Sequence, residues 1–167
     1  MTSAGAVAHL RDGTPVGAWL LKANPAVWDI GAFLRSGAQV DRWRLAPSYR
    51  TDLLAVGHPA VLWVTRGDPD REPGVWAVGR VSGEVSDDVG EPDDPLWRDT
   101  GAQRQVRPYV EVRLTVLRAA LPAAELRAHP ALAGMELFRA PRMGSPVALT
   151  PREWDSLVAL VPSDAPD

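Results

Sequence analysis

Apolar and polar side chains alternate strictly from Tyr109 to Val116, and a period of about two residues predicts a strand with one buried face. Apolar runs at Ala18–Leu21 and Ala60–Thr65 predict two more strands. A further strand is predicted at Gly74–Val81. The turn-rich residues 66–70 before it favour a β-hairpin with the Ala60–Thr65 strand.

Helices are predicted from a period of about 3.6 residues and from capping residues. Apolar residues recur at this spacing from Ala26 until Gly37, which predicts a first helix. In Thr150-Pro151-Arg152-Glu153 a cap residue is followed by a proline and then a glutamate, which predicts the start of a final helix. Short strands or helical turns are predicted at residues 40–45, 47–54, 122–126, 130–132 and 145–149. Strands mixed with short helices in no regular order indicate an α+β or small barrel-like fold.

Length and composition indicate a single domain over residues 1–167. With 46% hydrophobic residues the chain can bury one core, and residues 1–14 and 162–167 are predicted to be flexible ends. Residues 86–100 are rich in aspartate, glycine and proline and are predicted to be a solvated loop without chemistry of its own. No membrane span or signal sequence is recognisable, so the expected location is cytoplasmic, with no membrane contact.

Several kinds of chemistry are excluded by residue type. Cysteine is absent and the three histidines lack the spacing of a helical metal site, so no metal and no cofactor are expected. Lys22 is the only lysine among 18 basic residues, which excludes a Walker loop and nuclease motifs that need a lysine after paired acids. Ser145 is followed by a proline, which does not fit the Gly-x-Ser-x-Gly nucleophile motif.

The net charge of −3 argues against a broad grip on nucleic-acid phosphates, which needs many clustered cations. Arginines nevertheless cluster locally, at Arg42, Arg44 and Arg50 and again at Arg104 and Arg107. A local basic rim of this kind suffices for a domain that holds one extruded base and a few flanking phosphates.

Recognition chemistry is concentrated where the first strand ends. Trp19, Lys22 and Asn24 place an indole, an ammonium and an amide within six residues. This set suits a flat ligand with polar edges. The chain has seven tryptophans against two tyrosines and two phenylalanines, and indoles offer large stacking surfaces, although most are expected in the core.

Six segments stand in one order over nearly the whole chain, at residues 19–25, 43–44, 61–64, 74–81, 109–112 and 144–150 with Glu153-Trp154. With them the chain resembles the EVE domain, a branch of the PUA-like superfamily related to the YTH and ASCH domains. The resemblance implies a small twisted β-barrel flanked by short helices. It also implies a pocket for a modified base, such as 5-methylcytosine or 5-hydroxymethylcytosine, flipped out of DNA or RNA. In bacteria such domains resemble partners of modification-dependent restriction systems, so any cleavage would need a partner nuclease.

The base-binding residues implied by the resemblance are Lys22, Asn24, Trp43, Arg44, Trp63, Gly144 and Ser145. Asn24 would read the base edge, the two tryptophans would form stacking walls, and Lys22 would meet a phosphate or a base carbonyl. Each has a structural alternative: an Asx turn for Asn24, buried core for the tryptophans, a solvent-facing strand end for the lysine, and a plain turn for Gly144-Ser145. Ala23 stands where YTH readers place serine, which argues against adenine-type recognition.

Three functions follow from this sequence, and a non-catalytic reader of a modified base is favoured. The first alternative is an ASCH-like hydrolase of a modified nucleoside that uses Lys22 and a pocket carboxylate such as Glu111 as acid and base. The second is an adaptor subunit that docks a nuclease or helicase. Oligomeric state does not follow from the sequence.

Overall fold

The computed structural model describes residues 6–162, which form one six-stranded mixed sheet with short helices around it. The strands are β1 (Ala18–Ala23), β2 (Val40–Arg44), β3 (Pro59–Val64), β4 (Gly74–Asp88), β5 (Arg107–Pro122) and β6 (Val147–Leu149). The helices are α1 (Ile30–Arg35), α2 (Thr100–Arg104), α3 (Ala123–Ala128), α4 (Glu136–Arg139) and α5 (Pro151–Leu160), and a 3-10 helix spans Tyr49–Leu53. The predicted α+β class is confirmed.

The sheet is open, whereas the family resemblance implies a small twisted β-barrel. Its strand order is β2-β5-β4-β3-β1-β6, with β1 and β3 parallel and the other pairs antiparallel. Between residues 6 and 162 no strand pairing joins the edge strands β2 and β6. The sheet curls instead until its edges approach, and the Ala46 N–H donates to the Ser145 carbonyl oxygen at 2.9 Å. We call this gap between the two edges, which Ala46 and Ser145 bridge, the seam.

Both faces of the sheet are covered, so the central strands read as apolar runs. Nearly every residue of β1 and β3 is buried. Leu20 and Leu21 enter opposite core clusters because side chains alternate along a strand. The Leu21 cluster includes Ile30 of α1, and the Leu20 cluster includes Leu126 of α3 and Leu157 of α5. The helices therefore hold the sheet from two sides.

The strands and the last helix appear where the sequence predicts them, while several boundaries differ, most of all those of α1, β4 and β5. The predicted capping box of α5 is present, because Thr150 Oγ1 accepts from the Glu153 N–H at 3.2 Å and Glu153 Oε1 accepts from the Thr150 N–H at 2.9 Å. Helix α1 begins at Ile30 rather than at Ala26, since Asp29 caps it by accepting from the Ala32 N–H at 3.0 Å. Strand β4 continues to Asp88, so the predicted loop from residue 86 begins in the sheet.

At the amino-terminal side, residues 8–16 form a hydrogen-bonded turn in which the Val16 N–H donates to the Ala8 carbonyl oxygen at 2.8 Å. Arg11 stacks on the Tyr49 ring at 4.1 Å. The other parts of the predicted flexible ends, residues 1–5 and 163–167, lie outside the described residues. None of the helices between residues 6 and 162 is long and apolar enough to cross a bilayer.

Candidate ligand-binding site

A cavity of about 530 Å³ lies beside the seam, between the end of β1, strand β2, the start of β5 and residues 91–97. This volume falls within the range of small-molecule sites, which is about 300–1,000 Å³. Its aromatic lining comes from Trp28, Phe33, Trp43, Trp97 and Tyr109. Its polar lining includes Lys22, Asn24, Arg42, Arg44, Glu91, Asp94, Arg107 and Ser145.

Three aromatic rings form one wall of the cavity. Trp28 packs on Phe33 with ring centroids 5.0 Å apart and meets Trp43 edge to face at 5.9 Å. The Trp28 Nε1–H donates to Asp94 Oδ2 at 2.9 Å, and this bond sets the ring's orientation. A fixed indole wall presents a flat surface on which a planar ligand can stack.

Asn24 builds the turn that places this wall. Its Oδ1 accepts from the Ala26 N–H at 3.0 Å, and its carbonyl oxygen accepts from the Val27 and Trp28 N–H groups at 3.0 and 3.2 Å. The Asx turn that the sequence offers as an alternative is therefore present. Oδ1 is used in the turn, and the amide NH₂ remains as a donor on a residue that lines the cavity.

Lys22 anchors a loop with its side chain, although it also lines the cavity. Its Nζ donates to the carbonyl oxygens of Pro141 and Met143 at 2.7 and 3.0 Å, and its N–H donates to Ser145 Oγ at 2.8 Å. Burial lowers the pKa of Lys22. A compact ammonium suits two converging carbonyls, which is a physical reason for the chain's single lysine.

Arg44 and Arg42 of β2 also line the cavity. Arg44 donates through Nη2 to Gln105 Oε1 at 3.1 Å, and its guanidinium lies 5.7 Å from the Trp97 ring centroid. Burial lowers the pKa of Arg44. Arg42 pairs with Asp88 at 2.8 Å and covers the Tyr109 ring at 4.3 Å.

The structure brings five of the seven predicted residues to the cavity and leaves Trp63 and Gly144 out of its lining. Trp63 is 4% exposed and packs edge to face on Phe138 at 5.9 Å in the cluster of α3 and α5. At this position in β3, the Trp63 side chain lies on the face of the sheet that α3 and α5 cover. Gly144 lies at the seam, where an added Cβ would come within 2.7 Å of the Ala46 Cβ.

Other predicted cations and acids are also placed differently from the sequence expectations. Arg50 is largely buried and pairs with Glu136 at 2.6 Å, so it is not part of a basic rim. Glu111 is exposed and does not line the cavity that Lys22 lines, so it is not a pocket carboxylate. The carboxylates in the lining are those of Asp41, Glu91 and Asp94.

The acidic segment contributes directly to the site, which corrects the expectation of a solvated loop without chemistry. An isolated β-bridge joins Trp28 to Trp97 and brings Glu91, Asp94 and Trp97 to the cavity. Trp28 and Tyr109 were also missed as site residues by the sequence reasoning. An indole in an acidic, proline-rich segment was the available signal, because a large aromatic is rarely left in a solvated loop.

The fold is an open α+β sheet with an aromatic-lined cavity beside its seam, and the sequence comparison identifies its family. Residues 17–160 match the EVE domain family, so the chain belongs to the EVE domain family. Domains of this PUA-like family commonly bind nucleic acid and are generally binding domains rather than enzymes. No protein of curated function matches the sequence.

Solved structures share the fold at low sequence identity. A hypothetical protein from Leishmania major is 21% identical with a TM-score of 0.61, over 86% of this chain and 93% of that chain. A protein from Pseudomonas syringae is 20% identical with a TM-score of 0.60, over 86% and 98%. The DUF55 domain of human thymocyte nuclear protein 1 is 20% identical with a TM-score of 0.54, over 86% and 97%. At such identities the likeness concerns the fold.

Proposed function

We propose that this protein is a non-catalytic reader that binds one modified nucleobase, of the 5-methylcytosine or 5-hydroxymethylcytosine kind, flipped out of DNA or RNA. The observation that carries the proposal is the cavity of about 530 Å³, in which the indoles of Trp28, Trp43 and Trp97 stand beside hydrogen-bonding groups. Flat apolar walls with a few polar groups are what a heteroaromatic base requires.

The energetics of base flipping agree with this cavity. Unstacking a base from its strand costs a few kcal/mol, and stacking it on an aromatic side chain returns about 1–3 kcal/mol. A methyl group buried against an apolar wall adds about 0.8 kcal/mol. The indole wall of Trp28 and Trp43 can supply both the stacking surface and the apolar contact.

The charges around the cavity fit a reader that touches few phosphates. Arg42 is neutralised by Asp88 and Arg50 by Glu136. Arg107 lines the cavity and Arg104 is exposed on the adjacent helix α2, so these two arginines are suited to flanking phosphates. Two such contacts are compatible with a net charge of −3.

Binding without catalysis is supported by the use of Lys22, whose ammonium is held by the carbonyl oxygens of Pro141 and Met143. An acid–base catalyst must reach the reacting atoms with a free proton or lone pair. We therefore assign any cleavage in a modification-dependent restriction system to a partner nuclease.

The test is a binding titration with short DNA and RNA strands that carry cytosine, 5-methylcytosine or 5-hydroxymethylcytosine at one position. The proposal expects tighter binding to one of the modified strands than to the unmodified strand, and no change in the nucleic acid afterwards. Equal affinity for all strands, or release of a product, would contradict it.

A further inference from the structure

Two polar atoms in the lining residues of the cavity have no hydrogen-bond partner among residues 6–162. They are the hydroxyl oxygen of Tyr109 and Nε of Arg44, and both are shielded from solvent. Native proteins pair nearly all buried polar atoms, because a buried atom without a partner loses the hydrogen bond that it had with water. Both residues line the cavity, so a ligand that enters it and shifts the side chains covering these atoms can complete the pairing.

The two residues are direct neighbours across the sheet. Arg44 of β2 is the antiparallel partner of Tyr109 in β5, so their side chains leave the same face of the sheet a few ångströms apart. Tyr109 is 7% exposed. The Arg42 guanidinium covers the Tyr109 ring, and Gln105 holds the Arg44 guanidinium, so neighbouring side chains restrain both groups.

The chemistry of the two atoms restricts what can pair with them. The Arg44 Nε–H only donates. Burial raises the pKa of Tyr109, so its hydroxyl keeps its proton at neutral pH and can donate as well. A carbonyl oxygen has two lone pairs and can accept from two donors at once, whereas a ring nitrogen has a single lone pair in its plane.

We propose that Tyr109 and Arg44 are specificity-determining residues whose O–H and Nε–H donate together to one carbonyl oxygen of the bound base. This inference rests on the base-binding function proposed above. The pair selects bases that carry a carbonyl oxygen, as cytosine, thymine and guanine do, over adenine, which has none.

Tyr109→Phe tests the pair, because it removes one oxygen atom that has no partner within the described residues. Tyr49→Phe is the matched control: Tyr49 is the chain's other tyrosine, its hydroxyl accepts from the Arg11 N–H at 3.2 Å, and it does not line the cavity. The probes are three short single-stranded DNAs with 5-methylcytosine, N6-methyladenine or an abasic site at the central position. Affinity and melting temperature are measured for each protein.

The wild type should bind the 5-methylcytosine DNA more tightly than the other two DNAs. Tyr109→Phe should weaken binding of that DNA about tenfold, which is the value of one hydrogen bond, without changing binding of the abasic DNA. The melting temperature of Tyr109→Phe should equal or exceed that of the wild type, because no protein hydrogen bond is lost. Tyr49→Phe should leave all three affinities unchanged.

The contradicting outcomes are distinct. One outcome is that the wild type and Tyr109→Phe both prefer the 5-methylcytosine DNA to the abasic DNA and bind the 5-methylcytosine DNA with equal affinity. This would refute the proposed role of the Tyr109–Arg44 pair, while the base-binding function would stand. An equal loss on all three DNAs with a lower melting temperature, or tighter wild-type binding of the N6-methyladenine DNA, also refutes the pair. A wild type that does not distinguish the 5-methylcytosine DNA from the abasic DNA refutes both the function and the pair.

Discussion

The Trp43 Nε1–H donates to the carbonyl oxygen of Lys22 at 3.1 Å, which joins β2 to β1 although the two strands are not neighbours in the sheet. This hydrogen bond and the Ala46–Ser145 bond hold β2 and the residues after it against the end of β1 and the segment before β6, without a strand ladder. The cavity exists because the edges approach without pairing. Side chains of β2 and of the end of β1 can therefore face one ligand.

Lys22→Met should destabilise the protein by about 2 kcal/mol, because it removes a charged donor from two carbonyl oxygens while keeping most of the apolar side chain. Amide hydrogen exchange should become faster around residues 141–145, which Lys22 holds through its side chain and its N–H. Denaturant unfolding and exchange measurements test this. Unchanged stability and exchange would show that the ammonium contributes nothing to the loop.

Gly90→Ala should displace Trp97, because an added Cβ would lie 2.6 Å from two atoms of that ring. We expect a loss of about 1–3 kcal/mol in the free energy of unfolding and weaker binding at the cavity, since Trp97 is part of the lining. Gly134→Ala is the matched control, because nothing lies within 4 Å of its added Cβ. Equal behaviour of the two variants would contradict the placement of Trp97.

Glu136 should make stability depend on pH. Burial raises the pKa of Glu136, but the hydrogen bonds from Arg50 and from the Ala148 N–H outweigh burial and hold the pKa below its usual value. A carboxylate with a depressed folded-state pKa stabilises above its unfolded pKa of about 4.3, and this contribution is lost as the pH falls through the folded pKa.

Glu136→Gln should therefore cost about 3 kcal/mol at neutral pH, and the difference from the wild type should shrink below about pH 4. The control is Glu125→Gln on the exposed side of α3, which should change stability by about 0.5 kcal/mol or less. Urea unfolding at several pH values measures both. If the stability difference between the wild type and Glu136→Gln stayed the same at low pH, the Arg50–Glu136 ion pair would not be its cause.

The salt dependence of binding should be shallow. With Arg42 and Arg50 already paired to carboxylates, about two phosphate contacts remain for Arg104 and Arg107. The slope of log K against log salt for a single strand should then be about −1 to −2, and Arg104→Gln should reduce it by about 0.7. Titrations at several salt concentrations give the slope. A slope of about −5 or steeper would indicate a broad phosphate footprint instead.

Much of the fold was predictable because the strong strand signals are local. The alternation at 109–116, the apolar runs of β1 and β3 and the capping box at Thr150 each appear within a few residues of sequence. The open edge of the sheet was not predictable in this way. Whether β2 and β6 pair is decided by curl accumulated over the whole sheet, and no local pattern encodes it.

The site was predictable where it lies next to a strand end and not where distant segments meet. Lys22, Asn24, Trp43, Arg44 and Ser145 line the cavity. Trp63 does not, because its neighbours in the apolar run place it in the opposite core cluster.

Trp28 and Trp97 come together through one isolated bridge between segments about 70 residues apart, which local patterning cannot reveal. Tyr109 was treated only as the start of a strand, because its place beside Arg44 depends on the pairing of β2 with β5.

The most direct test of base reading is a fluorescence titration of the wild type, Trp43→Ala and Trp76→Ala with two DNAs that differ only in one modified cytosine. Trp76 is the control, because it is partly buried and its Nε1–H donates to the Glu72 carbonyl oxygen at 3.0 Å, outside the cavity lining. We expect the wild type and Trp76→Ala to prefer the modified DNA and folded Trp43→Ala to lose that preference. Equal affinity of the wild type for both DNAs, or a preference kept by Trp43→Ala, would contradict the account.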